Sequence, residues 1–122
     1  MYVKATREGR TGHVTASGWI VNDQVPFVAL PSRAALYQWV KVTNPLSAIS
    51  GVPRAVRAIV LDVGPHHVND DSYVFGKSRP YAETDGSNKS GIDLGDLVWK
   101  LLDMKDNTSV YWEFVSLNCD VI

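Results

Sequence analysis

At 122 residues with 45% hydrophobic content, the chain can build one compact domain around a single core and is too short for two. Its net charge of -1, with Lys and Arg scattered rather than striped, argues against a nucleic-acid footprint. A single cysteine, Cys119 close to the C-terminus, excludes an internal disulfide, a cysteine-based zinc cluster and, by its position, a catalytic thiol.

No apolar run is long enough for a membrane span, and no signal-peptide pattern follows Met1. Either the protein is made without an export signal, or Met1 begins a piece whose leader or neighbouring domains have been removed. The expectation is a single domain, 1–122, with a core spanning about 12–115.

The first ten residues are polar and mixed, and Gly12 to Val21 reads as a first strand with an irregular start. Val25 to Leu30 is a second short apolar run, closed by Pro31-Ser32, and Ser32 is placed to cap a brief helical turn through Ala34, Ala35 and Leu36. Trp39 to Thr43 alternates with period 2, Val40 and Val42 on one side, and Asn44-Pro45 turns it. Ser50 to Pro53 is another turn. The run Val56 to Leu61 alternates again and delivers Asp62 at its end, where Gly64-Pro65 stops the ladder. Leu94, Leu97, Val98, Leu101 and Leu102 recur at helical spacing, predicting a short amphipathic helix from Leu94 to Leu102 with Trp99 off its main stripe. Val110, Trp112 and Phe114 alternate with Tyr111, Glu113 and Val115, a strand that closes the sheet. Short strands broken by Gly/Pro turns, with one firm late helix, indicate a mainly β chain in a small closed barrel rather than a parallel βαβ sheet.

Two aspartates carry the chemical interest. Asp62 shares the parity of Val56, Ala58 and Val60 and emerges at a strand end beside apolar surface, where desolvation and a nearby like charge raise a carboxyl toward general-acid behaviour. The alternative is an Asx residue capping its own turn. Asp93 precedes the helical run, so it reads as an N-cap held ionised by the helix dipole. That role and a catalytic one are compatible.

The stretch from Gly64 to Ser90 is long for a loop in a compact domain, past the ~12–15 residues usual without function. It offers His66, His67, Asp70, Asp71, Tyr73, Phe75, Arg79 and Tyr81, a mixture of apolar faces and donors suited to sugar rings and hydroxyls. Its Gly/Ser-rich tail, Thr84 to Ser90, reads as disordered. The His66-His67 pair beside Asp70-Asp71 invites a metal reading, but adjacent histidines diverge on an extended chain and no third spaced ligand follows. No metal and no cofactor is therefore expected. Arg79 reads as the partner of Asp70 or Asp71 within the loop, or as a clamp for a substrate carboxylate. Trp99 and Trp112 belong to packing, whereas Trp19, after Gly18, is the better platform for the axial C–H face of a pyranose.

Four motifs occur in one order: Phe27-Val28-Ala29-Leu30-Pro31-Ser32, Val40-Lys41-Val42-Thr43-Asn44-Pro45, Leu61-Asp62-Val63-Gly64-Pro65 and Gly91-Ile92-Asp93-Leu94. Together, from about Gly12 to Val115, they resemble the six-stranded double-psi β-barrel of the rare lipoprotein A-like proteins, expansins and family 45 glycoside hydrolases, of a bacterial or phage type. The resemblance implies a shallow groove for a polysaccharide, peptidoglycan or a cellulose-like glucan, with Asp62 and Asp93 at its centre and Asp93 at the position of the proton donor. It implies that Thr15 is the early threonine lining the groove near Asp93. The loop 64–90, with His66, His67, Asp71, Tyr73 and Arg79, would form one wall.

The chain departs from plant expansins and fungal hydrolases in lacking a disulfide framework and a C-terminal carbohydrate-binding domain. The expectation is a cell-wall polysaccharide-active domain that binds glycan and cleaves it, as a glycoside hydrolase or lytic transglycosylase, with Asp93 as acid and Asp62 as base or stabiliser. Two alternatives use the same barrel: an expansin-like binding or wall-loosening module, and a structural barrel of a phage or secretion assembly. The implied location is secreted or cell-envelope if a signal has been removed, and otherwise unassigned.

Overall fold

The computed structural model describes residues 1–8 and 12–116. Cys119 lies outside the described residues. Six strands close into a barrel: β1 (Tyr2–Glu8), β2 (Phe27–Leu30), β3 (Trp39–Ile49), β4 (Val52–Val63), β5 (Ser90–Gly95) and β6 (Ser109–Val115), in the spatial order β1-β5-β2-β4-β3-β6. The pairings are mixed, with β1 parallel to β5, β2 parallel to β4, and the other neighbours antiparallel. Two short helices, α1 (Asp71–Val74) and α2 (Asp96–Leu101), and 3-10 turns at Arg33–Ala35 and Tyr81–Glu83 fill the connections. Among the described residues, no helix is long and apolar enough to cross a membrane.

Alternation along each strand decides what fills the barrel. Val3, Ala5, Val28, Leu30, Val40, Val42, Ala58, Val60, Ile92, Leu94, Val110 and Trp112 form one buried cluster, completed by Val98 and Leu102 from α2 and its end. A second, smaller cluster lies outside the wall, where Val21, Phe27 and Leu61 pack with Trp19, Val25 and Ile59. This is why β2 is buried along its whole length: one face looks into the barrel and the other is covered by the segment after β1. The β3–β4 hairpin turns on Ser50 and Gly51, both at positive φ (53° and 80°), the backbone shape that matches the twist of a two-residue hairpin.

Three expectations need correction. The first strand is Tyr2–Glu8, not Gly12 to Val21, because Val3 and Ala5 supply enough inward apolar surface for a strand whose other face is polar. Residues 12–21 are an excursion closed on itself around an isolated bridge, Val14 to Ile20, and tied to β4 through the Ala16 and Ser17 amides. The strand from Trp39 does not end at Asn44-Pro45. Buried Asn44 donates to the Leu102 carbonyl (2.8 Å) and accepts from the Leu46 amide (3.0 Å), bridging an irregularity before pairing resumes at Ala48. Finally, Asp93 is not a helix cap. It is the outward residue between inward Ile92 and Leu94 in β5, and the helix starts after Gly95.

Gly95 is required there for space. A Cβ would stand 2.4 Å from the Phe27 ring and 2.9 Å from the Phe27 carbonyl oxygen. The expected turn after Ser32 is present, and Ser32 Oγ accepts from the Ala34 amide.

Candidate active site

One residue of β2 brings the two aspartates together. Ala29 is the register partner of Asp62 on β4 and of Asp93 on β5. By simple alternation after Val60, Asp62 would point into the barrel. A bulge between Val28 and Ala29 lets β4 advance two residues while β2 advances one, which sets Asp62 level with outward-facing Ala29. β5 has its own irregularity, advancing from Ser90 to Ile92 while β1 advances from Lys4 to Ala5, and beyond it Asp93 falls outward between Ile92 and Leu94.

The two carboxyls sit in different environments. Asp62 Oδ1 accepts the amides of Ala16 (2.9 Å) and Val63 (2.8 Å), and its carboxyl also hydrogen-bonds Glu8. Burial pushes the Asp62 carboxyl up, but the Glu8 hydrogen bond, the two amides and the charge of His13 outweigh it and hold it below the ordinary range. Asp93 goes the other way. Burial raises it, and the hydroxyl of Thr6 and the charge of His66 only partly offset that, while the like charge of Asp62 adds to it. Neighbouring carboxyls pushed apart in this way are suited to opposite acid and base roles.

Thr6 is the register partner of Asp93 on β1 and donates to Asp93 Oδ1; its oxygen also lies 2.8 Å from Ser90 Oγ. Gly64, at φ +150°, leaves bare backbone on the other side, where a Cβ would stand 3.9 Å from Asp93 Oδ2. Thr6, Glu8 and Ser90 escape a reading by motif. Thr6 and Glu8 fall in a stretch dominated by charge, and their common parity, opposite to that of Val3 and Ala5, was the signal available.

Two segments flank the pair. On the Asp62 side runs the 12–21 excursion. Buried Thr15 bonds Ser17 Oγ (2.8 Å), and its neighbours Ala16 and Ser17 contact β4, so Thr15 belongs with Asp62 and Thr6 takes the place expected for it beside Asp93. Trp19 is half-buried edge-on against Phe27. Exposed Tyr37, which donates to the Ser17 carbonyl (3.4 Å), presents more ring surface there.

On the Asp93 side runs 64–90. Exposed His66 meets Asn88 Oδ1 (3.2 Å), and His67 pairs with Asp85 while its ring meets Tyr81 edge-on. Asp85, held by Ser87 and His67, is lowered to about 2. The tail is not loose: Asp85 and Asn88 side chains accept the amides of Ser87 (2.9 Å) and Ser90 (3.0 Å).

Other loop residues are placed elsewhere. Tyr73 is core, donating to the Gly91 carbonyl (2.8 Å) and accepting from Trp112 Nε1 (2.8 Å). Asp71 accepts the Ser32 hydroxyl, and buried Asp70 accepts the Tyr81 amide (2.8 Å). Arg79 pairs with Glu83, four residues on, rather than with Asp70 or Asp71, and also donates to the Tyr2 carbonyl (3.0 Å). Among the described residues, no three His, Cys, Asp or Glu side chains converge as metal ligands. A hollow of about 240 Å³ lies at the β3–β4 hairpin against Leu101, away from the aspartates. Asp93 is partly open to solvent on the barrel wall.

A protein family described as Domain of unknown function (DUF8814) matches residues 1–86, more than two thirds of the chain. No curated protein matches it. Among solved structures, the GH45 endoglucanase EG27II, an Asp-to-Ala mutant in complex with cellobiose, is similar over 98% of this chain and 83% of its own, with a TM-score of 0.55 and 19% identity. The architecture is thus the double-psi β-barrel expected from the sequence.

Proposed function

We propose that this chain, which belongs to the family described as Domain of unknown function (DUF8814), is a polysaccharide-active domain that cleaves glycosidic bonds with Asp93 as acid and Asp62 as base. The observation that carries the reading is the pair itself: two aspartates on either side of Ala29, one raised and one lowered by its surroundings. Asp93 would hold a proton at a pH where Asp62 has lost its own, and would give it to the leaving oxygen while Asp62 draws a proton from the attacking water.

The spacing of the strands that carry them supports that division of labour. Two strands separated by a third lie about 9.5 Å apart along the hydrogen-bonding direction. An inverting hydrolase needs its carboxyls roughly 6.5 to 9.5 Å apart to seat a water. The barrel shared with an endoglucanase solved with cellobiose makes a β-glucan the first substrate to try, with peptidoglycan the second. In this reading the 12–21 excursion and the 64–90 segment are the walls along the glycan, and His66 and Tyr37 are exposed side chains beside it. A cell-envelope or secreted setting follows from the substrate.

Release of soluble sugars from cellulose and mixed β-glucan, and of muropeptides from peptidoglycan, tests the proposal. Products from the wild type, reduced at least 100-fold in Asp93→Asn and in Asp62→Asn, support it. Glycan co-sedimentation without products in the wild type would replace cleavage by binding, and neither products nor binding would leave a structural barrel.

A further inference from the structure

Ser90 opens β5, is fully buried, and sits among groups it can bond: Thr6 Oγ1 at 2.8 Å, the Ile92 carbonyl at 2.9 Å and the Lys4 carbonyl at 3.3 Å. Thr6 in turn reaches Asp93 Oδ1. Each hydroxyl has one proton to give and lone pairs to accept with. With Asp93 ionised, Thr6 donates to Oδ1 and Ser90 donates to Thr6. With a proton on Oδ1 the chain reverses: Asp93 donates to Thr6, Thr6 to Ser90, and Ser90 to the Ile92 carbonyl. The first arrangement contains two hydrogen bonds and the second three.

We propose that Ser90 is a positioning residue for Asp93, the far end of a two-way hydroxyl relay that can donate toward the ionised carboxyl or accept from the protonated one. When the proton leaves Asp93, Thr6 and Ser90 rotate and the relay turns to solvate the carboxylate. No proton passes through the hydroxyls, so each keeps its own and the balance is one proton lost from Asp93 to its acceptor. The charged groups facing Asp93 from other elements are Asp62 on β4 and His66 after it. From β1 come Thr6 and, two residues on, Glu8, while β2 offers only Ala29. None of these substitutes for Ser90, whose partners are hydroxyl and backbone alone. The functional value of the relay rests on the reading of Asp93 as the acid, but the relay itself belongs to the folded chain without substrate.

Titration of the Asp93 side-chain carboxyl by carbon-13 NMR, with no glycan present, tests it. Ser90→Ala removes two hydrogen bonds from the protonated arrangement and one from the ionised, so the Asp93 midpoint falls by up to about one pH unit. Thr6→Val removes the donor to the carboxylate, so the midpoint rises. Ser90→Thr keeps the hydroxyl and the wild-type midpoint. An unchanged midpoint in Ser90→Ala, or a move in the same direction as Thr6→Val, overturns the relay. If Ser90→Ala does not fold, the Ser90 hydroxyl proton of the wild type serves: its shift must move with the Asp93 midpoint, and a flat response overturns the relay. Failure here would leave product release by the wild type untouched, and absence of products would leave the titration result standing.

Discussion

Asp62 and Asp93 come from strands that never pair with each other, yet both are register partners of Ala29, one on either side of β2. Separated by one strand, they are near enough for the charge of Asp62 to raise Asp93.

For the glycan cleavage proposed above, that relationship predicts a pH profile. Asp62, lowered by Glu8 and two amides against its burial, must be ionised, so the rate climbs as pH rises through its midpoint. Asp93, raised by burial, must be protonated, so the rate falls as pH passes its own. The expected curve of kcat/KM is a bell, its acid limb set by Asp62 and its alkaline limb by Asp93. In Asp93→Asn the alkaline limb should vanish with the loss of rate, which steady-state assays from roughly pH 3 to 8 would show.

Glu8 sets the acid limb of that curve. The hydrogen bond between Glu8 and Asp62 helps to hold the Asp62 carboxyl below its ordinary range. Glu8→Ala removes that hydrogen bond, and the acid limb should move to higher pH with little change at the optimum. Glu8→Gln keeps an N–H donor and should restore the wild-type limb. Equal profiles for Glu8→Ala and the wild type would remove Glu8 from the site.

The strands around the aspartates were legible where one face is apolar and the other polar, as in Trp39 to Thr43, Val56 to Leu61 and Val110 to Val115. They were illegible where both faces are covered or the apolar face is thin. In Tyr2–Glu8 only Val3 and Ala5 point inward, and charged Lys4, Arg7 and Glu8 mask them. Asp93 was read as a cap because Leu94 serves two periods at once: it is the inward residue of β5 and also falls in step with Leu97, Val98 and Leu101. What decides between them is pairing with β1 and β2, a contact distant in sequence. The same distance hid Thr6 from Asp93, whereas Asp62 and Asp93 stand out in the sequence because each lies in a compact Gly-marked motif.

Gly95 separates fold from chemistry. Alanine there would set its methyl 2.4 Å from the Phe27 ring and 2.9 Å from backbone, a contact that must be relieved by movement of β2 or β5. Gly95→Ala is expected to destabilise by about 1 to 3 kcal/mol, read from denaturant midpoints. Phe27→Leu combined with Gly95→Ala should recover part of the loss, because the ring atoms are the nearest obstacle. Full additivity of the two losses would show that the backbone contact dominates.

Asp93 should also oppose stability where it is most useful. Its folded-state midpoint is raised, so the folded chain binds that proton more readily than the unfolded chain does. The favourable contribution is complete below the unfolded-state value, ~3.9 for Asp, and is lost as pH rises through the folded-state midpoint. Asp93→Asn removes the charge while keeping an oxygen for Thr6. Near neutral pH it should therefore melt roughly 1 to 4 °C above the wild type, the order expected for relief of a buried charge in a domain of this size. Near pH 3 the two should melt together, because wild-type Asp93 is then neutral in both states. Calorimetric scans at the two pH values check this, and a gain that is the same at both would mean that Asn packs better than Asp for reasons unrelated to charge.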